Sequence, residues 1–138
     1  MKHHLIKQTH LDRWPYVYLR QSSPTQIRNN HEGRRRQQSM VEHVASLGWP
    51  ESRIVLLDQD SGQSGSSQHG RADLHRLLEA IVTGKAGLVA ARELSRLVRD
   101  NQDWGHLVRL CRFENVLLAD EHRIYDPADP QDLSLIHI

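Results

Sequence analysis

Three observations predict an α/β fold in which a mostly parallel central sheet of about four strands is flanked by helices. The first is a set of four short, nearly continuous apolar runs: Tyr16–Leu19, Ile54–Leu57, Leu88–Ala91 and Val116–Ala119. Strands covered on both faces have this composition, whereas half-exposed strands alternate. The second is helical periodicity between the runs, and the third is the strict alternation of the two patterns along the chain.

Each helix has a physical signature. Met40, Val41, Val44 and Leu47 mark the first, which Gly48 and Pro50 should stop. Leu74, Leu77, Leu78 and Ile81 share one face of the second, with Gly84 placed as its left-handed cap. Trp104, Leu107, Val108 and Cys111 repeat the spacing in the third, with Asp100 or Asn101 as N-cap. Residues 1–13 are polar and aperiodic, so a loose N-terminal arm is expected there. Residues 14–126 form the domain, and residues 127–138 a linker and tail. The Asp-Pro-Ala-Asp-Pro-Gln-Asp stretch from Asp126 to Asp132 has linker composition. The abrupt apolar run Leu133–Ile138 resembles a translated sequencing adapter and is expected to be non-native, the reading frame having been cut short.

Composition narrows the class without naming a function. With 138 residues, 38% hydrophobic and 25% charged, the chain is one ordinary globular domain. A net charge of +1 spreads no global positive field, so any nucleic-acid contact must be local. Two local candidates exist, Arg34-Arg35-Arg36 and the Arg92/Arg96/Arg99 stretch, the triplet reading equally well as a solvated helix start. A single cysteine, Cys111, excludes an internal disulfide and sits on an apolar helical stripe. Neither a membrane-length apolar run nor a secretion signal is present, so a cytoplasmic location is expected. The ten histidines are scattered and make no metal-binding motif, so no metal or cofactor is expected.

In a parallel α/β sheet, ligands gather beyond the carboxyl ends of the strands. Ser22 follows the first run, the Asp60–Arg71 loop the second, and Arg96 and Arg99 the third, so all converge on one edge. Arg20 lies two residues before Ser22, on the same side of an extended chain. A hydroxyl nucleophile among guanidiniums suits attack on a phosphodiester, because the transition state gathers negative charge that planar arginine forks can hold. Ser22 lacks the glycine-flanked elbow of acyl hydrolases, and a hydrolase would need one of the ten histidines as its base, of which His31 alone is in the same loop. No phosphate-cradling Gly-x-x-x-x-Gly-Lys-Ser/Thr loop exists.

These residues, in this order, resemble the catalytic domain of serine recombinases, the resolvase/invertase family. Tyr18-x-Arg20-x-Ser22 with Gln26 is similar to the family's nucleophile segment. Asp60, Ser64-Gly65-Ser66 and Gly70-Arg71 resemble its acidic loop and arginine, and Leu94-Ser95-Arg96-Leu97-Val98-Arg99 its third motif. Gln37 resembles a second supporting glutamine. Arg20-Gln21-Ser22-Ser23-Pro24 followed by Asn29-Asn30-His31-Glu32-Gly33 is similar to a transposon-associated branch. The chain departs from small resolvases in three places: Ser95 stands where many have aspartate, the Gln26–Gln37 loop is longer, and Ala72-Asp73 replaces Pro-Gly after Arg71.

The resemblance implies that Ser22 forms a 5′-phosphoserine link to double-stranded DNA, without ATP or metal. Arg20, Arg71, Arg96 and Arg99 would bind the phosphate, and Gln26, Gln37 and Asp60 would support them. Full-length relatives are expected to act as dimers that pair into tetramers on DNA, through a long helix and a DNA-binding domain expected to be missing after Asp132. A truncated, non-catalytic remnant that binds a full-length partner is the alternative.

Overall fold

A computed structural model of the chain describes residues 5–19, 30–58, 72–94, 97 and 101–135. In chain order the elements are α1 (Gln8–Leu11), β1 (Trp14–Tyr18), α2 (Asn30–Ser46), a short 3-10 turn (Glu51–Arg53), β2 (Val55–Leu57), α3 (Ala72–Val82), β3 (Ala86–Ala91), α4 (Asn101–Glu114), β4 (Leu117–Ala119), β5 (Ile124–Tyr125) and α5 (Pro130–Leu135). The five strands form one sheet in the order β2-β1-β3-β4-β5. The first four pair in parallel, and β5 adds an antiparallel edge to β4.

All four predicted apolar runs are strands, and the three predicted helices lie between them, α2 beginning well before its first periodic apolar residue. The two-residue β5 had no apolar run to announce it. A turn creates it: Asp120 Oδ1 accepts the N–H groups of His122 and Arg123, each at 2.8 Å, and reverses the chain onto β4.

Strand side chains divide by the period of two. Tyr16, Tyr18, Val55, Leu57, Val89, Ala91 and Leu118 meet α3 and α4 on one face, packed with Leu74, Leu77, Ile81, Trp104, Leu107 and Cys111. Val17, Leu56, Leu88, Ala90, Leu117 and Ala119 meet Met40, Val44, Leu47 and Trp49 on the other face. Coverage of both faces is the physical reason the runs read as continuously apolar. Gly84, at φ +77°, ends the turn after α3 in the left-handed conformation that glycine adopts without cost. Asn101 begins α4 from within the helix, and the other cap candidate, Asp100, lies outside the described residues.

The loose arm expected over residues 1–13 is corrected for residues 5–13, which are packed. Ile6 and His10 are buried, and His10 Nδ1 accepts the Lys7 N–H at 2.9 Å. The arm's backbone runs so close over β3 that a Cβ on Gly87 would stand 2.4 Å from the His10 carbonyl oxygen. Arg13 then fastens the arm: its guanidinium donates to the carbonyls of Thr9, Ala86, Glu114 and Asn115 at 2.7–3.0 Å. Arg53 donates to the carbonyls of Leu11, Asp12 and Arg13, and the Trp49 indole N–H also reaches Arg13. Polar composition hid this, because the polar side chains bond to backbone.

The stretch from Asp126 to Asp132, expected as a linker, is likewise ordered by its aspartates. Asp126 Oδ1 accepts the Ala128 N–H, Asp129 Oδ1 the Gln131 N–H, and Asp132 Oδ2 the Asp126 N–H, all at 2.9 Å. No helix among the described residues is long and apolar enough to cross a membrane.

Candidate functional site

The strand order contains one reversal. From β1 the chain moves outward to β2, then crosses back past β1 to place β3 on its other side. In doubly wound sheets the two crossovers diverge at such a point and open a crevice at the strands' carboxyl ends. Here that switch point lies between β1 and β3. The segments carrying Ser22 and Arg96 leave from those two strands.

Register sharpens this placement. Tyr18 pairs with Leu57 on one side and with Ala91 on the other, so β1, β2 and β3 end in one row. The Leu19 N–H extends the row by donating to the Leu57 carbonyl at 2.9 Å. Tyr18, Leu57, Leu74, Ala91, Leu94 and Leu97 belong to one buried cluster. These anchors bracket the candidate segments. Tyr18 lies two residues before Arg20, Leu57 three before Asp60, Leu74 three after Arg71, and Leu94 and Leu97 on either side of Arg96. Leu94 and Leu97 both pack inward, with Leu97 only 1% exposed.

Arg20, Ser22, Gln26, Asp60, Arg71, Arg96 and Arg99 themselves lie outside the described residues. Gln37 lies within them. It sits midway along α2, and its Nε2 donates to Asp58 Oδ2 at 2.7 Å. Asp58 is the first residue beyond β2, so this bond ties α2 to the carboxyl edge of the sheet. Sequence reasoning chose Asp60 as the acidic support and passed over Asp58. The available signal was position, since Asp58 is the first polar residue after an apolar strand.

Asp73 was also passed over as a functional residue. It lies in the first turn of α3 and is 1% exposed, with Arg76 Nη1 at 3.5 Å from its Oδ1. A carboxylate there is favoured by the helix dipole. Arg92, immediately after β3, pairs at 3.8 Å with Glu121 beyond β4. Both partners are more than 40% exposed, so the contact contributes little stability. Within the arginine triplet, Arg35 is exposed and Arg36 half-buried on α2.

Cys111 is poorly placed to act as a nucleophile. Cys111 is fully buried among apolar side chains, and burial pushes its thiol up to about 12, leaving the reactive thiolate unformed near neutrality. Among the described residues no three His, Cys, Asp or Glu side chains gather as a metal site.

Comparison with known proteins adds two findings. The family described as "Resolvase, N terminal domain" matches residues 15–138. The chain is also 38% identical over 131 residues to the uncharacterized protein y4bA/y4pH of Sinorhizobium fredii. That alignment covers 95% of this chain and 19% of the relative's length.

Proposed function

The chain belongs to the resolvase N-terminal domain family, the catalytic domain of serine recombinases, and from that premise we propose that Ser22 is the nucleophile of DNA strand exchange. The Ser22 Oγ attacks a backbone phosphorus, the bond from phosphorus to the 3′ oxygen breaks, and that oxygen leaves as a 3′-hydroxyl. The 5′ end stays attached as a phosphoserine ester. Reversal of the step by another 3′-hydroxyl rejoins the strands with no external energy source.

Arg20, Arg71, Arg96 and Arg99 hold the phosphate and offset the charge of the pentacoordinate transition state. They also favour the serine alkoxide, as nearby positive charge does for any acid. Gln26, Gln37 and Asp60 support these groups. The observation that carries the reading is the common row formed by Tyr18, Leu57 and Ala91, from which the chain enters the Arg20/Ser22, Asp60/Arg71 and Arg96/Arg99 segments. Double-stranded DNA is the substrate, and the assembly on it is a homodimer that pairs into a tetramer.

A p-nitrophenyl ester of thymidine 5′-phosphate tests the nucleophile without requiring a DNA-binding domain. Attack by Ser22 releases nitrophenolate and leaves thymidine phosphate on the protein. A burst of colour matching the protein concentration, with the adduct mapped to Ser22 by mass spectrometry, is expected. Ser22→Ala should lose both signals and keep its fold. Persistent attachment in Ser22→Ala would remove the assignment. Absence of an adduct in the wild-type chain, even when fused to a DNA-binding domain and offered DNA, would favour the non-catalytic remnant.

A further inference from the structure

We infer that Arg35, exposed on the part of α2 that stands beyond the carboxyl ends of the strands, is a contact to the phosphate backbone of double-stranded DNA. The inference takes its ligand from the strand-exchange reading above and deepens it. Its place in the fold is argued from described residues alone.

Two hydrogen bonds set the direction of α2. Midway along it, Gln37 Nε2 donates to Asp58, the first residue beyond β2. Past its far end, the Trp49 indole N–H donates to the carbonyl of Arg13, just before β1. Between them Met40, Val44 and Leu47 are buried against the sheet. From Gln37 onward the helix therefore runs along the strands, and the residues before Gln37 stand clear of them. From Asn30 to Arg36 they carry the helix about 10 Å further. Arg35 is exposed there. It is turned about 200° around the helix from Gln37, so Asp58 lies on the other side of α2.

Other exposed cations at this edge are already engaged. Arg76, near the start of α3, has the buried Asp73 carboxylate at 3.5 Å. Arg92 pairs with Glu121 at 3.8 Å, and Arg123 lies over the Tyr125 ring at 5.6 Å. Among the described residues Arg35 has no hydrogen-bond, ion-pair or ring partner. A guanidinium without an internal partner keeps its charge and its forked donors for a ligand, and that fork matches phosphate. In a chain of net charge +1, attraction to a polyanion has to come from such local charges. Arg109 and Arg112 are exposed too, but they lie toward the other end of the molecule. The chain just after them, Glu114 and Asn115, is bonded to Arg13 at the amino ends of the strands.

Fluorescence anisotropy with the full chain and a short labelled duplex of arbitrary sequence, over a range of salt concentrations, tests this. Arg35→Ala is expected to weaken binding roughly fivefold to tenfold near about 0.1 M salt. The slope of log affinity against log salt should fall by about 1, as for one lost phosphate contact. Arg109→Ala should bind like the wild type, and neither variant should shift the thermal midpoint. Phenylglyoxal labelling of the wild-type chain, read by mass spectrometry, should show that the duplex shields Arg35 and leaves Arg109 open.

Equal losses in Arg35→Ala and Arg109→Ala would reduce the effect to total charge and overturn the assignment. An Arg35→Ala chain that binds like the wild type, or a duplex that leaves Arg35 as open to labelling as Arg109, would overturn the contact. So would a wild-type chain that does not bind the duplex at low salt. The nitrophenolate burst needs no duplex and reads the nucleophile separately. Loss of the burst with Arg35-dependent binding intact would count against strand exchange and support the contact.

Discussion

At the amino ends of the strands, Arg13 and Arg53 direct their hydrogen bonds to backbone carbonyls, seven in all between them. At the carboxyl ends, Gln37 is held by a carboxylate, and four further arginines belong to the segments that leave there. The contrast shows why arginine content alone cannot locate a phosphate site. A guanidinium whose donors all end on carbonyls is a fastener: it closes the end of α4, pins the arm over Gly87 and has little left to offer a ligand. Arg53 also lies over the Trp14 ring at 5.1 Å, which adds a cation–π contact to the same knot.

The contrast can be broken from either side. Arg13→Ala removes a donor from four carbonyls at once, and unfolding by denaturant should show a loss of about 3–4 kcal/mol. At a temperature where this variant stays folded, the rate of thymidine phosphate attachment should be unchanged. Arg71→Ala should behave oppositely. Attachment should slow by about 3 kcal/mol in the barrier, roughly a hundredfold, with little change in the thermal midpoint. If Arg13→Ala abolished chemistry in the folded protein, or Arg71→Ala unfolded the domain, the division of labour between the two edges would fail.

A smaller effect isolates the arm. Burial lowers the His10 pKa, and the charge of Arg13 lowers it further. The folded state therefore keeps the imidazole neutral, with Nδ1 accepting the Lys7 N–H. As the pH falls below about 6.5, the unfolded chain takes up a proton that the folded chain resists, and stability is lost; above that pH the full contribution is present. The thermal midpoint should drop by roughly 3 °C more in the wild-type protein than in His10→Asn on going from neutral to mildly acid pH. Identical pH profiles for the two would show that His10 does not titrate against the fold.

Much of the fold was legible because strands buried on both faces and helices buried on one leave clear periodicities. Val17 and Tyr18 are adjacent, apolar and buried on opposite faces, and only a covered sheet requires that of neighbouring residues. The arm, the Asp120 turn and the 126–132 segment were not legible, since their order comes from polar side chains bonding to backbone far away or within tight turns. Arg13 reaches Glu114 across 101 positions of sequence, a separation that no local pattern encodes.

The candidate site divides along the same line. Ser22, the four arginines and the order of their motifs are proposed from the sequence alone, because a family signature is a pattern of residue types along the chain. Asp58 was not, since its relation to Gln37 exists only after β2 and α2 are brought together. The sequence by itself determined which residue types flank each strand, and hence the fold class and the family. The tertiary structure alone decided that β1 stands between β2 and β3, that their carboxyl ends share one row, and that Asp58 faces Gln37. Strand order and side-chain pairing across the sheet are set by packing both faces at once, and that is a property of the assembled core rather than of any segment within it.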